Sequence, residues 1–326
     1  MNLYACRLPG SDKREIYVAD SFSLLEENLQ EIGFVFAPFL NPGEAYLIPA
    51  HLAVERIPDQ IIKANSQNLS DIRIDDKEEY SRYVEHIIQS LGENENHKVV
   101  ASRRLRVPLD IPAEKLFDRL SAKYPDAFVF LFSTAETGTW IGASPELLLE
   151  RKGETFRTMA LAGTRSAATS GDWDYKNLRE QEIVKDFLED ILKNRELKVT
   201  VDETTTQKAG PVEHLMTRIK AHGKLKYGVV ELLKTMSPTP ALCGYPKESA
   251  LRTIVEHEGD GRGFYGGYAG IWHGEYDFKL YVNLRSGKIE KNEIILSAGG
   301  GITRHSVAEE EWEETEKKLR TLIDVL

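Results

Sequence analysis

The sequence contains little cysteine and no long apolar run, and each absence excludes a class of protein. Only two cysteines, Cys6 and Cys243, occur among 326 residues. They are too few for a disulfide framework, so we expect a protein of the reducing cytoplasm. No stretch of about 18 apolar residues occurs, so we expect no membrane span. The opening residues lack a basic segment followed by an apolar one, so we expect no signal peptide.

Positive charge is also scarce, as are the common metal and nucleotide motifs. Lys and Arg total 42 against 52 for Asp and Glu, a net charge of −10, whereas a surface that binds nucleic acid must be basic. The eight histidines are scattered, so no zinc pattern exists. The glycine-rich segment 259–267 has neither Walker-loop nor GxGxxG spacing. What remains is a chain that is 41% hydrophobic and 29% charged, a balance typical of folded proteins.

Hydrophobic periodicity predicts strands and helices along the whole chain. Because many strands follow one another without an obvious helical crossover, we expect an α+β fold with largely antiparallel sheet. The polar stretch 64–77 is the best candidate for a surface crossing, but no convincing linker occurs, so we predict one domain. The predicted strands are Lys98–Val107, Ala127–Ser133, Phe278–Leu284 and Glu293–Ala298, and the predicted helices are Glu78–Leu91, Pro112–Tyr124, Asp174–Lys193, Pro211–His222 and Ser306–Leu326.

One predicted helix carries a carboxylate on the face that its apolar residues assign to the core. The apolar stripe of Asp174–Lys193 includes Val184 and Leu188, and a step of four residues back from Val184 reaches Glu180. A buried carboxylate without a partner is costly, so Glu180 on this face would be paired, protonated or metal-bound. The alternative is an acid of the first helical turn that the helix dipole stabilises.

Acids also line one edge of the C-terminal helix. Glu311, Glu314 and Lys318 are spaced at i, i+3 and i+7. This spacing fits a solvated face on which Glu314 and Lys318 form an i,i+4 ion pair. The helix also carries more glutamates than lysines can pair with at this edge, so a bound cation could balance the remaining charge. Two acid-bearing helices therefore suggest a magnesium site, because Mg²⁺ prefers carboxylate oxygens and retained water.

Two further residues have the chemistry of a proton donor and a proton acceptor. Glu146 follows a turn, 142–145, between two apolar segments. It either caps that turn or is a buried acid whose pKa its apolar neighbours raise. Lys98 opens an apolar strand, and taken alone it is typical of a surface lysine whose stem packs along apolar surface.

Nine short motifs occur in an order that resembles the chorismate-binding enzyme family of isochorismate, salicylate, anthranilate and aminodeoxychorismate synthases. Together they cover residues 78–326, whereas residues 1–75 match no motif and look like a reduced N-terminal portion. The resemblance implies one domain, 1–326, with the fold of anthranilate synthase component I, in which large, mostly antiparallel sheets are flanked by helices. The motifs are Lys98–Arg103 (KVVASR), Gly142–Leu147 (GASPEL), Ala160–Thr164 (ALAGT), Glu180–Val184 (EQEIV), Val212–Leu215 (VEHL), Pro238–Gly244 (PTPALCG), Arg262–Gly267 (RGFYGG), Gly299–Ile302 (GGGI) and Glu311–Thr315 (EWEET).

Within this family, three features favour the isochorismate synthases. Lys98 stands where isochorismate and salicylate synthases carry the lysine that acts as general base towards water. Ala162 stands where aminodeoxychorismate synthases carry a nucleophilic lysine. The segment SPTPALCGYP resembles the HPTPA segment of isochorismate synthases, although Ser237 replaces its histidine. Gln181 also replaces a common histidine, and Asn177 stands where some relatives have an extra acid.

The resemblance implies a Mg²⁺-dependent conversion of chorismate to isochorismate that feeds menaquinone or siderophore biosynthesis. Lys98 would take a proton from the water that attacks ring carbon 2, so it must be partly neutral near pH 7, and Glu146 would protonate the departing 4-hydroxyl. Glu180 and Glu314 would hold Mg²⁺, supported by Glu311. The residues expected to bind the substrate are Tyr265, Arg285, Gly299, Gly300, Gly301, His214, Thr217, Ala241, Leu242, Ala162, Gly163, Thr164 and Lys318.

Other functions remain open at this point. A salicylate synthase would form isochorismate and then eliminate pyruvate in the same pocket, with the same base, acid and metal. A non-catalytic protein with this fold would only bind chorismate, although binding alone needs no pair of base and acid. Amination by ammonia is disfavoured by Ala162 and Lys98. We expect chorismate as the small-molecule partner of a monomer or a homodimer.

Overall fold

The computed structural model describes residues 1–27, 29–66, 75–92, 97–209, 212–259 and 261–326. The helices are α1 (Asp59–Asn65), α2 (Lys77–Leu91), α3 (Ala113–Lys123), α4 (Tyr175–Asn194), α5 (Val229–Met236), α6 (Lys247–Glu258) and α7 (Ala308–Ile323). The strands are β1 (Asn2–Arg7), β2 (Arg14–Ala19), β3 (Ser23–Leu24), β4 (Gly33–Ala37), β5 (Tyr46–Pro49), β6 (Leu52–Ala53), β7 (Lys98–Pro108), β8 (Phe128–Thr134), β9 (Gly138–Ser144), β10 (Leu147–Lys152), β11 (Thr155–Ser166), β12 (Lys198–Val201), β13 (Thr205–Ala209), β14 (Val212–His222), β15 (Gly244–Tyr245), β16 (Tyr268–Trp272), β17 (Asp277–Val282), β18 (Ser286–Glu290) and β19 (Glu293–Ile302).

The strands form two large sheets, and the strand pairs described are antiparallel. Sheet A has the order β15-β7-β19-β18-β9-β8-β1-β2-β6. Sheet B has the order β12-β14-β11-β10-β17-β16-β4-β5-β3, and β13 pairs with β14 outside this order. The expected α+β architecture with antiparallel sheets is therefore confirmed.

Three apolar clusters hold the layers together. An aromatic cluster fills the space between the sheets, with Phe128, Phe130 and Phe132 from sheet A against Phe34 and Phe36 from sheet B. A second cluster joins sheet A to α1, α3 and α7, and a third joins sheet B to α4 and α5. Each sheet is therefore buried on both faces, which is why β4 and β8 are apolar at nearly every position.

The first 53 residues extend both sheets at the end far from β7 and β14. β1, β2 and β6 complete sheet A, whereas β3, β4 and β5 complete sheet B. The motif-free N-terminal portion thus contributes strands to both sheets and lies away from the strands that carry most motifs. Of the proposed surface crossing 64–77, residues 67–74 lie outside the described part of the chain.

The predicted helix Pro211–His222 is wrong, because its described residues form strand β14. From Thr217 onward the chain alternates buried and exposed residues, with Ile219 and Ala221 inside and Arg218 outside. β14 pairs with β11, β12 and β13, so hydrogen bonds from three strands outweigh the helix-forming composition of the segment. The other predicted helices and strands occur, with their ends shifted by a few residues.

Cys6 and Cys243 are buried free thiols. Within the described residues, no helix combines the length and apolar character needed to cross a bilayer.

A buried ion pair ties α6 to β7 beside the glycine-rich turn. Arg262 donates to both carboxylate oxygens of Glu258, over 2.6 and 2.7 Å, and to the Val100 carbonyl over 2.6 Å. Glu258 also accepts from the Ser102 amide at 3.0 Å and the Tyr83 hydroxyl at 3.1 Å. Despite burial, these donors, Arg262 above all, hold the pKa of Glu258 below its ordinary value.

We expect Glu258→Ala to lower the free energy of unfolding by about 3–5 kcal/mol, because it leaves the buried Arg262 guanidinium without a counter-charge. Urea unfolding followed by circular dichroism measures the change. Glu256→Ala, an exposed position on the same helix, is the matched control and should change stability by less than about 0.5 kcal/mol. Equal effects of the two substitutions would contradict the role of the buried pair.

Candidate active site

A cavity lies between the β7–β19 edge of sheet A and strands β11 and β14 of sheet B, next to α4 and α7. It encloses about 650 Å³ of space outside protein atoms, part of it open to solvent. Most of the predicted site residues line it: Lys98, Glu146, Ala162, Gly163, Thr164, Glu180, His214, Ala241, Leu242, Tyr265, Arg285, Gly299, Gly301, Glu314 and Lys318.

Three predicted site residues do not line the cavity. Thr217 is fully buried behind it, where its hydroxyl meets Gln181 and Thr204. Gly300 faces away from the cavity, because a Cβ built on it would lie 2.8 Å from Glu311 Oε2. Glu311 is buried on that far side. The predicted roles of Thr217, Gly300 and Glu311 at the site stay predictions.

Lys98 is a buried lysine, not a surface one. It begins β7 with its side chain 2% exposed, and its Nζ lies 3.3 Å from Glu180 Oε2. Gly301 on the paired strand β19 makes room for both groups, because a Cβ there would lie 2.5 Å from Lys98 Cε and 2.8 Å from Glu180 Oε2. The reading of Lys98 as a surface lysine is therefore wrong.

Glu146 is a buried acid that the turn after β9 directs into the cavity. Its side chain is 2% exposed, and Oε1 has no hydrogen-bond partner. Burial raises the pKa of Glu146 to about 8, although the charges of Lys98 and Lys318 oppose the rise. The carboxyl group is therefore protonated at neutral pH and can donate a proton.

Glutamates from two helices meet at one side of the cavity. Glu180 of α4 is 7% exposed, which confirms its predicted core-facing position. Glu314 of α7 pairs with Lys318 over 2.6 Å, the predicted i,i+4 pair, but both side chains are largely buried. Glu311 pairs with Lys176 of α4. This edge of α7 is therefore not a solvated face.

Burial and neighbouring charges shift the pKa values of Glu311 and Glu314 in opposite directions. Burial, together with the charges of Glu314 and Glu180, raises the pKa of Glu311 to about 7 against the opposing charge of Lys176. Against the effect of burial, Lys318 and Lys176 hold the pKa of Glu314 below its ordinary value. Burial therefore favours the neutral form of Glu311, whose buried Oε2 has no hydrogen-bond partner.

Arg285 is held in the cavity by a neutral histidine. Its Nη2 lies 3.0 Å from His214 Nε2, and its Nη1 donates to Thr321 Oγ1 over 3.0 Å. Because a guanidinium can only donate, His214 accepts at Nε2 and carries its proton on Nδ1, which lies 3.1 Å from the Gly163 carbonyl. Burial, with the charge of Arg285, lowers the pKa of His214 to about 3. His214 therefore orients Arg285 as well as lining the pocket.

A bulge in β11 shapes the wall that carries Ala162, Gly163 and Thr164. The pairing of β11 with β14 shifts register between Ala162 and Thr164, and Gly163 has a φ of +69°, which favours glycine. Two amide side chains of α4 hold the bulge: Gln181 accepts from the Ala162 amide over 2.8 Å, and Asn177 from the Thr164 amide over 2.7 Å. Gln181 and Asn177, the two residues of α4 that differ from the family pattern, thus hold the pocket wall in place through these hydrogen bonds.

Sequence reasoning missed Lys176 and the supporting roles of Gln181 and Asn177. The signal for the amides was present, since residues 177 and 181 share a helix face with one another. Lys176 gave a weaker signal: a cation in the first turn of a helix opposes the helix dipole and needs a local reason.

The chain belongs to the chorismate binding enzyme family, whose profile matches residues 50–326. It is 32% identical over 241 residues to isochorismate synthase EntC of Escherichia coli (strain K12), an alignment that covers 70% of this chain and 62% of the relative. It is 29% identical over 244 residues to anthranilate synthase component 1 of Neisseria gonorrhoeae, covering 69% of this chain and 48% of the relative.

Solved structures have the same fold. MenF, the menaquinone-specific isochorismate synthase from Escherichia coli, matches with a TM-score of 0.81 at 21% identity, over 100% of this chain and 89% of that one. Anthranilate synthase component I from Streptococcus pneumoniae matches with a TM-score of 0.71 at 17% identity, over 98% and 89% of the two chains. The fold expected from the motifs is therefore confirmed. The chain spans less than two thirds of the length of the curated relatives named above.

Proposed function

We propose that this protein is an isochorismate synthase, which converts chorismate to isochorismate. The observation that carries the proposal is a buried lysine, Lys98, and a buried acid with a raised pKa, Glu146, in one cavity. A site that only binds a ligand has no need of such a pair, whereas hydroxyl exchange on a ring needs both. The names of relatives such as EntC support the same reading.

Lys98 and Glu146 divide the proton transfers between them. Lys98 accepts a proton from water as the water oxygen bonds to ring carbon 2. Glu146 gives its proton to the 4-hydroxyl, which leaves as water while the ring double bond shifts. One water enters and one leaves, so substrate and product are isomers. Apolar burial keeps Glu146 protonated until the leaving group needs the proton.

The carboxylates of chorismate have separate partners in this proposal. Arg285, held by His214 and Thr321, offers a guanidinium to the enolpyruvyl carboxylate, and the buried hydroxyl of Tyr265 joins it. A Cβ on Gly299 would lie 3.1 Å from the Ala101 carbonyl oxygen and from Val100 Cγ1, so strand β19 lies close to β7 at this corner. Lys318, bound to the Gly299 carbonyl over 2.7 Å, adds positive charge. The cavity thus attracts a dianion although the chain carries a net charge of −10.

The buried acids fit a magnesium ion held by few protein ligands. Glu180 and Glu314 offer carboxylate oxygens to the cavity, and the buried Glu311 Oε2 has no partner. Across the described residues, no group of three or more His, Cys, Asp or Glu side chains is arranged to hold a metal by itself. The two carboxylates that line the cavity suit Mg²⁺, which is commonly held by one or two carboxylates, waters and substrate oxygens. When bound, the ion would supply positive charge that anchors the ring carboxylate of chorismate.

We expect Glu180→Gln to raise the Mg²⁺ concentration that gives half-maximal rate by roughly tenfold or more, because an amide oxygen replaces a charged ligand. Rates measured over a MgCl₂ titration at saturating chorismate check this. Glu182→Gln, at an exposed position on the same helix, should leave the requirement unchanged. An unaltered Mg²⁺ dependence in the Glu180 variant would remove this residue from the metal site.

Incubation with chorismate and MgCl₂, followed by chromatography of the products, tests the proposed reaction. Isochorismate as the end product, formed without ammonia, is the expected result. Salicylate together with pyruvate would identify the salicylate synthase alternative, and bound but unchanged chorismate would identify a binding protein. Either outcome overturns the proposal.

The product would feed menaquinone or siderophore biosynthesis, in the cytoplasm that the free cysteines favour.

A further inference from the structure

Each acid at the metal side of the cavity has a lysine partner, and one lysine serves two acids. Lys98 pairs with Glu180, and Lys318 pairs with Glu314. Lys176 contacts Glu311 and also lies 3.9 Å from Glu180 Oε1. Its ammonium group therefore sits between α4 and α7, where it links the two helices that carry the proposed metal ligands.

Lys176 is the partner that can leave most easily. Its side chain is 23% exposed, against 2% for Lys98 and 15% for Lys318, whose ammonium the Gly299 carbonyl also holds. Lys176 is the second residue of α4, whose first turn contains no acid. The positive end of the helix dipole therefore repels it, and the acids alone favour its inward position. Rotation about its flexible stem would take the charge into solvent.

We propose that Lys176 is an exchangeable counter-cation that competes with Mg²⁺ for Glu180 while it stays within reach of the supporting Glu311. Without the metal it offsets the repulsion between the buried carboxylates. When Mg²⁺ binds Glu180, the ion and the Lys176 ammonium group would both lie against this carboxylate and repel each other. The ammonium group must therefore withdraw. The intrinsic Mg²⁺ affinity of the protein is then lower than its carboxylates alone would give. The inference rests on the metal site of the proposed function.

Titration with MgCl₂ alone, followed by calorimetry in the absence of chorismate, tests the competition. Lys176→Met keeps the apolar stem and removes the charge, so we expect it to bind Mg²⁺ about tenfold more tightly than the unaltered protein. Lys176→Arg keeps the charge and should stay near the original affinity. Lys185→Met is the matched control on the same helix, because Lys185 pairs with Asp186 outside the acid group, and it should change nothing.

Thermal unfolding gives a second readout that does not depend on turnover. In EDTA, Lys176→Met should melt below the unaltered protein, because the acids lose a counter-charge. Saturating MgCl₂ should remove that difference. Unchanged or weaker Mg²⁺ binding by Lys176→Met would overturn the inference and leave the metal site standing. If neither protein binds Mg²⁺ in the absence of chorismate, the inference is overturned, and the MgCl₂ dependence of turnover decides whether the metal site stands. Product analysis reports on the reaction separately from both results.

Discussion

Lys98→Ala should lower the turnover of chorismate by on the order of 10³-fold while Mg²⁺-dependent binding of chorismate is largely kept. The substitution removes the group that accepts the proton of the attacking water, and general bases typically contribute 10²–10⁴-fold. Before Mg²⁺ binds, Glu180 keeps Lys176 as a partner at 3.9 Å, so the acid does not lose all compensation in the metal-free variant. Steady-state assays with product chromatography measure turnover, and calorimetry with chorismate measures binding.

The control for this experiment is Lys152→Ala, an exposed lysine at the end of β10, whose removal should not alter turnover. Unchanged turnover in Lys98→Ala would rule out the base assignment. Loss of chorismate binding to the same extent as turnover would instead make Lys98 a binding residue. The two measurements together therefore separate a chemical role from a positioning one.

Glu146→Gln should cause a loss of similar size, roughly 10²–10⁴-fold, because glutamine fills the same space but has no proton to donate to the 4-hydroxyl. The unaltered protein should lose activity as the pH rises through about 8, since Glu146 must be protonated to act. A log plot of kcat/KM against pH, measured with the free protein and chorismate, gives this alkaline limb. If kcat/KM does not fall at alkaline pH, Glu146 is not the acid.

The same carboxyl group should also influence stability, which distinguishes a chemical role from damage to the fold. Its folded-state pKa of about 8 lies above the ordinary value of 4.5, so the folded protein holds more protons between those two values. Stability should therefore fall as the pH rises through that window. Glu146→Gln cannot ionise, so at pH values above 8 it should melt at a higher temperature than the unaltered protein. A lower melting temperature would point to structural damage.

Helix periodicity predicted the burial of Glu180 but not what surrounds it. The apolar stripe of α4 places this residue inside for purely local reasons. Its neighbours Lys98 and Glu314 come from β7 and α7, far away in sequence, and no spacing rule relates them. For Glu314 and Lys318 local reasoning was misleading, because an i,i+4 ion pair looks alike on a solvated face and on a buried one.

Strand β14 shows where composition fails as a guide. Its residues include good helix formers, and only the three neighbouring strands provide the hydrogen bonds that make it a strand. The consequence reaches the site, since a strand rather than a helix directs His214 towards Arg285. Gly300 is a second example. Its sequence context predicts a contact with the ligand, but in the structure a side chain at this position would collide with Glu311.

The class of fold, most of the helices and strands, and the residues with useful chemistry could be predicted from the amino-acid sequence. Periodicity and residue type are local properties, and the ordered motifs added the family, which the profile match over residues 50–326 confirms. Which charged side chains are buried, and which of them contact one another, depends on the tertiary structure. The burial that raises the pKa of Glu146 comes from distant strands, and so does the cavity it shares with Lys98. Burial and pairing depend on contacts between distant segments, which no local pattern specifies.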